Sequence, residues 1–163
     1  MDIEFRASDV QRSVEPHRLY DPEADDIRSI FSDVCRIIGI RGEFGVSGFG
    51  QMNWPVNVEV DFPILLEQLS EIIGALEDEA ECELDFYERG VERLLTFVPR
   101  GTVYVVHCKS LTSWVPVPSV EEIDQARLKA MLEAVRDNFM ATRSSVAPEL
   151  TAHPWVIAWM RGG

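Results

Sequence analysis

Three carboxylates stand at two-residue spacing in the stretch "DEAECELDFYERG": Glu81, Glu83 and Asp85. In a strand that spacing puts all three on one face, roughly 6–7 Å apart, and a pair of acids so placed loosely suits hydrolysis of a glycosidic bond. Such chemistry also needs a cleft and one carboxyl raised by burial, and the run itself supplies neither. Nor does it contain the D-x-[DN]-x-[DN]-G loop that holds calcium. The glycines of "GEFGVSGFG" (Gly42, Gly45, Gly48, Gly50) miss the G-x-G-x-x-G spacing, and no lysine follows to meet a phosphate. Ser47 misses the nucleophile elbow by one position. A bent or bulged strand is expected there instead. His17, His107 and His153 have no His or Cys two to four residues away in a zinc pattern. Cys35, Cys82 and Cys108 are scattered, which suits small core residues better than a disulfide framework. We therefore assign no catalytic, metal-binding or cofactor-binding residue, and expect a protein that is not an enzyme.

The elements that position the acids follow from periodicity. A short strand over residues 3–6 opens the chain. "YDPEADDIRSIFSDVCRIIG" reads as a helix capped by Asp21 with Pro22 in its first turn, its apolar stripe running from Ile27 to Ile38. "EFGVSGFG" and "VNVEVD" are strand candidates, the second with Val56, Val58 and Val60 inward. A helix then starts at Asp61 and buries Phe62, Leu65, Leu66, Leu69, Ile72, Ile73 and Leu76. From residue 80 to 110 a meander turns at Arg89-Gly90 and at Arg100-Gly101. Its register pairs Cys82 with Phe97, Leu84 with Leu95 and Phe86 with Arg93, then Phe97 with Tyr104, Leu95 with Val106 and Arg93 with Cys108. A third helix over "SVEEIDQARLKAMLEAVRDNFM" is capped by Ser119 and Glu122. The end forms short helical turns in which Trp155 and Trp159 seal the core. The expected fold is one α+β domain over residues 1–163: a mainly antiparallel sheet of about five strands, with three to four helices on one face.

Charge separates the classes of partner. The 163 residues hold 28 acids against 15 bases, a net of −13. Residues 42–88 contain twelve acids and no Lys or Arg. Binding to nucleic acid needs clustered cations, so neither a nucleic acid nor an anionic membrane is expected as partner. No apolar run approaches the ~20 residues that span a bilayer, and the opening "MDIEFRASDV" lacks the pattern of a cleaved secretory signal. The expected location is the cytoplasm.

Residues 56–108, "VNVEVDFPILLEQLSEIIGALEDEAECELDFYERGVERLLTFVPRGTVYVVHC", form a strand, an acid-capped helix and an acidic meander. In that pattern the chain resembles the small immunity proteins of bacterial contact-dependent inhibition and related polymorphic toxin systems. The resemblance covers about a third of the chain and carries over no family residue. It implies a cytoplasmic protein without enzymatic activity that binds one cognate toxin domain, which in such systems is frequently a nuclease with a basic cleft. From charge and alternation alone, the partner-binding surface is expected at Glu59, Asp61, Glu77, Asp78, Glu79, Glu81, Glu83, Asp85 and Tyr87, with Leu94, Val98 and Val103 as apolar anchors beside them. The alternative is a small enzyme or ligand-binding domain whose pocket lies between helices and sheet, lined by Trp54, Phe97, Tyr104 and Trp155.

Overall fold

The computed structural model describes residues 1–8 and 19–162, so His17 lies outside the described residues. Strand β1 (Asp2–Ala7) pairs antiparallel with β2 (Gly42–Ser47), setting Ile3 against Val46 and Phe5 against Phe44 on the buried side. Between them in sequence lies helix α1 (Ile27–Ile38). It begins later than the sequence suggests. Asp21 and Asp25 satisfy each other in a separate turn, the Asp25 carboxylate accepting from the Asp21 N–H at 3.0 Å. Asp26 is the cap, exchanging bonds with Ser29 in both directions.

After β2 the chain reverses in a tight turn whose central residues, Phe49 (φ 56°) and Gly50 (φ 81°), both occupy the left-handed region. A Cβ on Gly50 would lie 2.0 Å from the Val117 carbonyl oxygen, so only glycine fits. Residues 56–61 are not a strand. The Asn57 side chain accepts the N–H groups of Glu59 and Val60 at 3.0 and 2.8 Å, while the Asp61 carboxylate accepts the Asn57 N–H at 2.8 Å. Such local side-chain bonding competes with a ladder and here displaces it. Val58 is buried, Val60 is exposed, and Asp61 is turned inward.

Helix α2 (Asp61–Glu77) buries its whole expected stripe. Phe62 in its first turn meets Phe5 at 4.2 Å, Phe44 at 4.9 Å and Phe139 at 5.7 Å between ring centroids, and Phe44 in turn meets Phe86 at 6.4 Å, so that both sheets and the helices share one core. Burying one such side chain contributes about 1.5–3 kcal/mol.

Strands β3 (Cys82–Phe86), β4 (Arg93–Arg100), β5 (Val103–Ser110) and β6 (Val120–Asp124) form a second antiparallel sheet in that order. The β3–β4 register is the expected one, although residues 87–92 make a wider loop than two residues. The β4–β5 register is shifted by two: Phe97 faces Val106 and Leu95 faces Cys108, around the loop Gly101-Thr102. Gly101 leads that loop at φ 64°, the place a two-residue hairpin of type II′ gives to glycine. A shift of two preserves parity, so the buried face is unchanged. β6 occupies residues expected in the third helix, and Ser119 and Glu122 form no capping box. Val120 to Asp124 pair with β5, Glu121 turns inward to the N-terminal ammonium and the Phe49 N–H, and Asp124 caps α3 (Gln125–Val146) instead.

The chain ends in a 3-10 turn, Pro148–Ala152, and helix α4 (Pro154–Met160), whose Trp159 is buried and donates its indole N–H to the Leu66 carbonyl at 2.7 Å. The fold is thus α+β with two antiparallel sheets rather than one. α2 packs on β3 and against α1 and α3, and α3 packs on β1 and β6. Alternate residues of β3, β4 and β5 face the core and the others look outward, with Val105 buried on the outer side. Among the described residues, no helix is long and apolar enough to cross a membrane.

Candidate protein-binding surface

The acids divide into two groups once the chain is folded. Glu59 and Asp61 precede or open α2, whereas residues 77–85 run from its far end into β3. A 17-residue helix, about 25 Å long, separates Glu59 and Asp61 from Glu77, Asp78 and Glu79, while β3 folds back along it and brings Asp85 beside Gln68. Asp61 is only 2% exposed and serves the Asn57 turn; burial raises its carboxyl above the usual range, against the lowering bond from Asn57. Asp61 is therefore no contact residue, and Glu59 lies at the opposite end of α2 from Glu77, Asp78 and Glu79.

The second group is continuous. Glu77, Asp78 and Glu79 gather at the C-terminus of α2, which has no base in its last turn. Helix carbonyls already make that end negative, so carboxylates there are disfavoured. Glu77 has an answering charge in Lys129 at 2.9 Å. Among the described residues, no Lys or Arg forms an ion pair with Asp78, Glu79, Glu81, Glu83 or Asp85. Their field is felt nearby. Burial and then the Glu83 charge raise the Asp85 carboxyl, and burial, Glu81 and Glu83 push the Cys82 thiol up to about 11.

Next to these acids the outward face of the sheet is apolar at its middle. Cross-strand rows read Asp85, Leu94, Lys109; Glu83, Thr96, His107, Val120; then Val98, Val105, Glu122. Leu94, Val98 and Val103 are half-buried, Val120 is exposed, and Thr96 donates to Glu83 at 3.2 Å. The face thus runs from acid at the β3 edge, through aliphatic side chains, to His107 and Lys109 on β5. Of the expected anchors, Leu94 pairs with Asp85, whereas Val103 faces Arg100 and Asp124, with β4 between it and β3.

Tyr87 is 42% exposed at the end of β3. Its hydroxyl donates to Glu67, and the Arg28 guanidinium lies 5.1 Å from its ring centroid. Burial and the Glu67 bond raise its phenol well above the ordinary value. Arg28 also meets Glu88 at 2.9 Å and Glu67 at 3.7 Å. Sequence reasoning missed Arg28, Glu67 and Lys129, because all three reach the site across distances that no local pattern spans.

The four aromatics proposed as pocket walls do not converge. Phe97 and Tyr104 are fully buried, the latter donating to the Ala80 carbonyl at 3.3 Å. Trp54 packs with Phe49, Phe86 and Trp114, whereas Trp155 packs with Tyr20 and His153. His153 caps α4, its Nδ1 accepting the Trp155 N–H at 3.3 Å, and His107 lies exposed on the outer face. Cys35 and Cys108 are buried and Cys82 half-buried. Comparison with protein-family models, with curated proteins and with solved structures finds no match.

Proposed function

We propose that this protein is an immunity-type antitoxin that binds and blocks one cognate toxin domain, a basic one of the nuclease kind, through the acidic edge of its second sheet. The observation that carries this is the unbroken carboxylate run from the negative end of α2 along β3, with no paired base from Asp78 to Asp85 among the described residues, beside a half-exposed aliphatic face. Like charges held together cost stability, and a cationic partner relieves that cost on docking. Complementary charge also speeds encounter toward about 10⁸–10⁹ M⁻¹s⁻¹ at low salt. The carboxylates would occupy the cleft where substrate phosphates otherwise sit, and Leu94, Val98 and Tyr87 would supply apolar contact. The binding group is accordingly Asp78, Glu79, Glu81, Glu83, Asp85 and Tyr87, with Glu77 shared with Lys129.

The test is co-expression with a toxin domain encoded immediately upstream of the gene. The wild-type chain should restore growth and bind the purified toxin with strong salt dependence. The triple variant Glu81→Lys, Glu83→Lys, Asp85→Lys should lose both while keeping its circular dichroism spectrum. Undiminished binding by the folded triple variant would reject this surface.

A further inference from the structure

The two sheets have four edge strands, and three of these have outward backbone groups already engaged. On β1 the Ile3 N–H meets the Met131 sulfur at 3.1 Å, and the Phe5 carbonyl accepts from the Asn138 amide at 3.1 Å. On β2 the Val46 carbonyl accepts the Trp54 N–H at 2.8 Å. On β3 the Gln68 side chain holds Asp85. β6 is the exception. The Cys108 N–H donates to the Ser119 carbonyl and the Gln125 N–H to the Thr102 carbonyl, which fixes the alternation along the strand. Ser119, Glu121 and Ile123 turn their peptide groups toward β5, and Val120 and Glu122 turn theirs away. Among the described residues, no hydrogen bond reaches the N–H or carbonyl of Val120 or Glu122. Both residues are exposed. Bare groups of this kind are a template for one more strand. From that edge and its charge, we propose that β6 is a docking site for an extended basic segment of another protein, added as a fifth strand and antiparallel like every other pair in the sheet.

Charge selects the occupant. Glu121 is committed inward, to the N-terminal ammonium and the Phe49 N–H. Glu122 and Asp124 stand on the outer side of β6 and are exposed. Asp124 accepts the Arg127 N–H at 3.0 Å, yet among the described residues neither acid forms an ion pair, with Arg100 and Arg127 included. A second copy of this chain would bring the same acids to both sides of a five-residue seam, where opposed like charges destabilise the pairing. A strand with Lys or Arg at alternate positions reverses that sign, and an aliphatic residue at its end meets Val120. The added strand gains its affinity from main-chain hydrogen bonds and its specificity from these alternate side chains. β4 and β5 stand between this edge and β3, so the site is independent of the acidic surface proposed above.

The probe is the peptide acetyl-Lys-Val-Lys-Val-Val-amide, titrated into the isotope-labelled full chain and followed by amide NMR. Antiparallel docking sets its central lysine against Glu122. The amide signals of Val120 and Glu122 should shift and exchange more slowly with solvent, while those of Glu83 and Asp85 stay in place. The same peptide with glutamates for its lysines should bind about tenfold more weakly, and Glu122→Lys, on an exposed side chain, should weaken the lysine peptide by about as much. N-methylation of the central lysine removes an N–H aimed at the Glu122 carbonyl and should abolish binding. N-methylation of the following valine, whose N–H points away from β6, should be tolerated. Equal binding of the two charge forms, equal effects of the two methylations, or no shift at about 1 mM peptide would overturn the site. Shifts on β3 that vanish in the triple variant Glu81→Lys, Glu83→Lys, Asp85→Lys would put the peptide on the acidic surface and overturn the β6 edge. Slow exchange at Val120 and Glu122 that grows with protein concentration in the absence of peptide would overturn the basic segment in favour of a second copy.

Discussion

Gln68 on α2 holds both backbone groups of Asp85 on β3: its amide oxygen accepts the Asp85 N–H at 2.9 Å, and its amide nitrogen donates to the Asp85 carbonyl at 3.0 Å. A side chain thereby stands in for a neighbouring strand at the sheet edge, where bare peptide groups would invite pairing with another chain. Replacing Gln68 by Ala should cost about 1–2 kcal/mol, the usual range for a partly buried donor and acceptor left unmet. Urea unfolding would measure that cost, and light scattering should report more association than the wild-type chain shows. An unchanged midpoint would show that water replaces the amide without loss.

Stability should rise, not fall, on mild acidification. Asp61, Glu67 and Asp85 are each raised in the folded chain, with burial the leading cause. A raised carboxyl favours the fold below its unfolded pKa and loses that contribution as pH climbs through its folded pKa. Glu121 behaves oppositely: burial pulls it up, but the bonds from the N-terminal ammonium and the Phe49 N–H prevail and hold it low, so its contribution disappears only as pH falls further. As pH falls from neutral towards the ordinary carboxylate range of about 4, the unfolding midpoint should therefore increase, and Asp85→Asn should flatten the slope.

Added salt should act in the same direction on the free protein. Raising ionic strength from about 0.01 to 0.15 M shortens the screening length from about 30 to 8 Å, which weakens repulsion along β3. The thermal midpoint should climb with salt, and the triple lysine variant should lose most of that response. A midpoint insensitive to salt in the wild-type chain would contradict the stored repulsion.

Two glycines with positive φ should differ sharply on substitution. Gly50→Ala faces both its left-handed backbone and the Val117 carbonyl at 2.0 Å, so a loss of at least ~2 kcal/mol is expected. Gly90, at φ 105°, has nothing within 4 Å of an added Cβ. There the loss should stay near ~1 kcal/mol, from the backbone alone. Denaturant midpoints of both variants, measured together, would separate the steric part from the conformational one.

Arg93 is the third test of packing. Its guanidinium lies between Trp54 at 4.2 Å and Trp114 at 3.6 Å, with one bond to Gln51 at 2.8 Å, while Nε and Nη1 are buried without acceptors. Burial holds it below the usual arginine range. Arg93→Met keeps the stem and removes the unmet donors, so stability should change by under ~1 kcal/mol. Arg93→Ala removes the stacking partner of two indoles and should cost ~2–4 kcal/mol. Calorimetry on both variants distinguishes charge from shape.

Much of this fold was legible where periodicity alone decides. The stripe from Phe62 to Leu76 and the β3–β4 register follow from spacing and turn residues, and both stand as read. The misreadings share a cause. Residues 56–61 alternate like a strand, but Asn57 and Asp61 bond to the local backbone and close a turn. Residues 120–124 follow a capping signature, but pairing with β5 and the inward bonds of Glu121 draw them into the sheet. The acidic run was visible as charge. That Glu59 and Asp61 leave it, while Lys129 and Arg28 enter its surroundings, depends on contacts between remote segments.

Because the second sheet is packed on one side only, strand parity divides its residues into two independent sets. Leu84, Leu95, Phe97 and Val106 answer to the interior, and Glu83, Leu94, Val98 and His107 answer to whatever lies outside. Mutations in the second set can accumulate without disturbing the first. If the outer set meets the partner proposed above, a lineage pressed to change that partner could rewrite alternate letters of three strands and inherit the same scaffold.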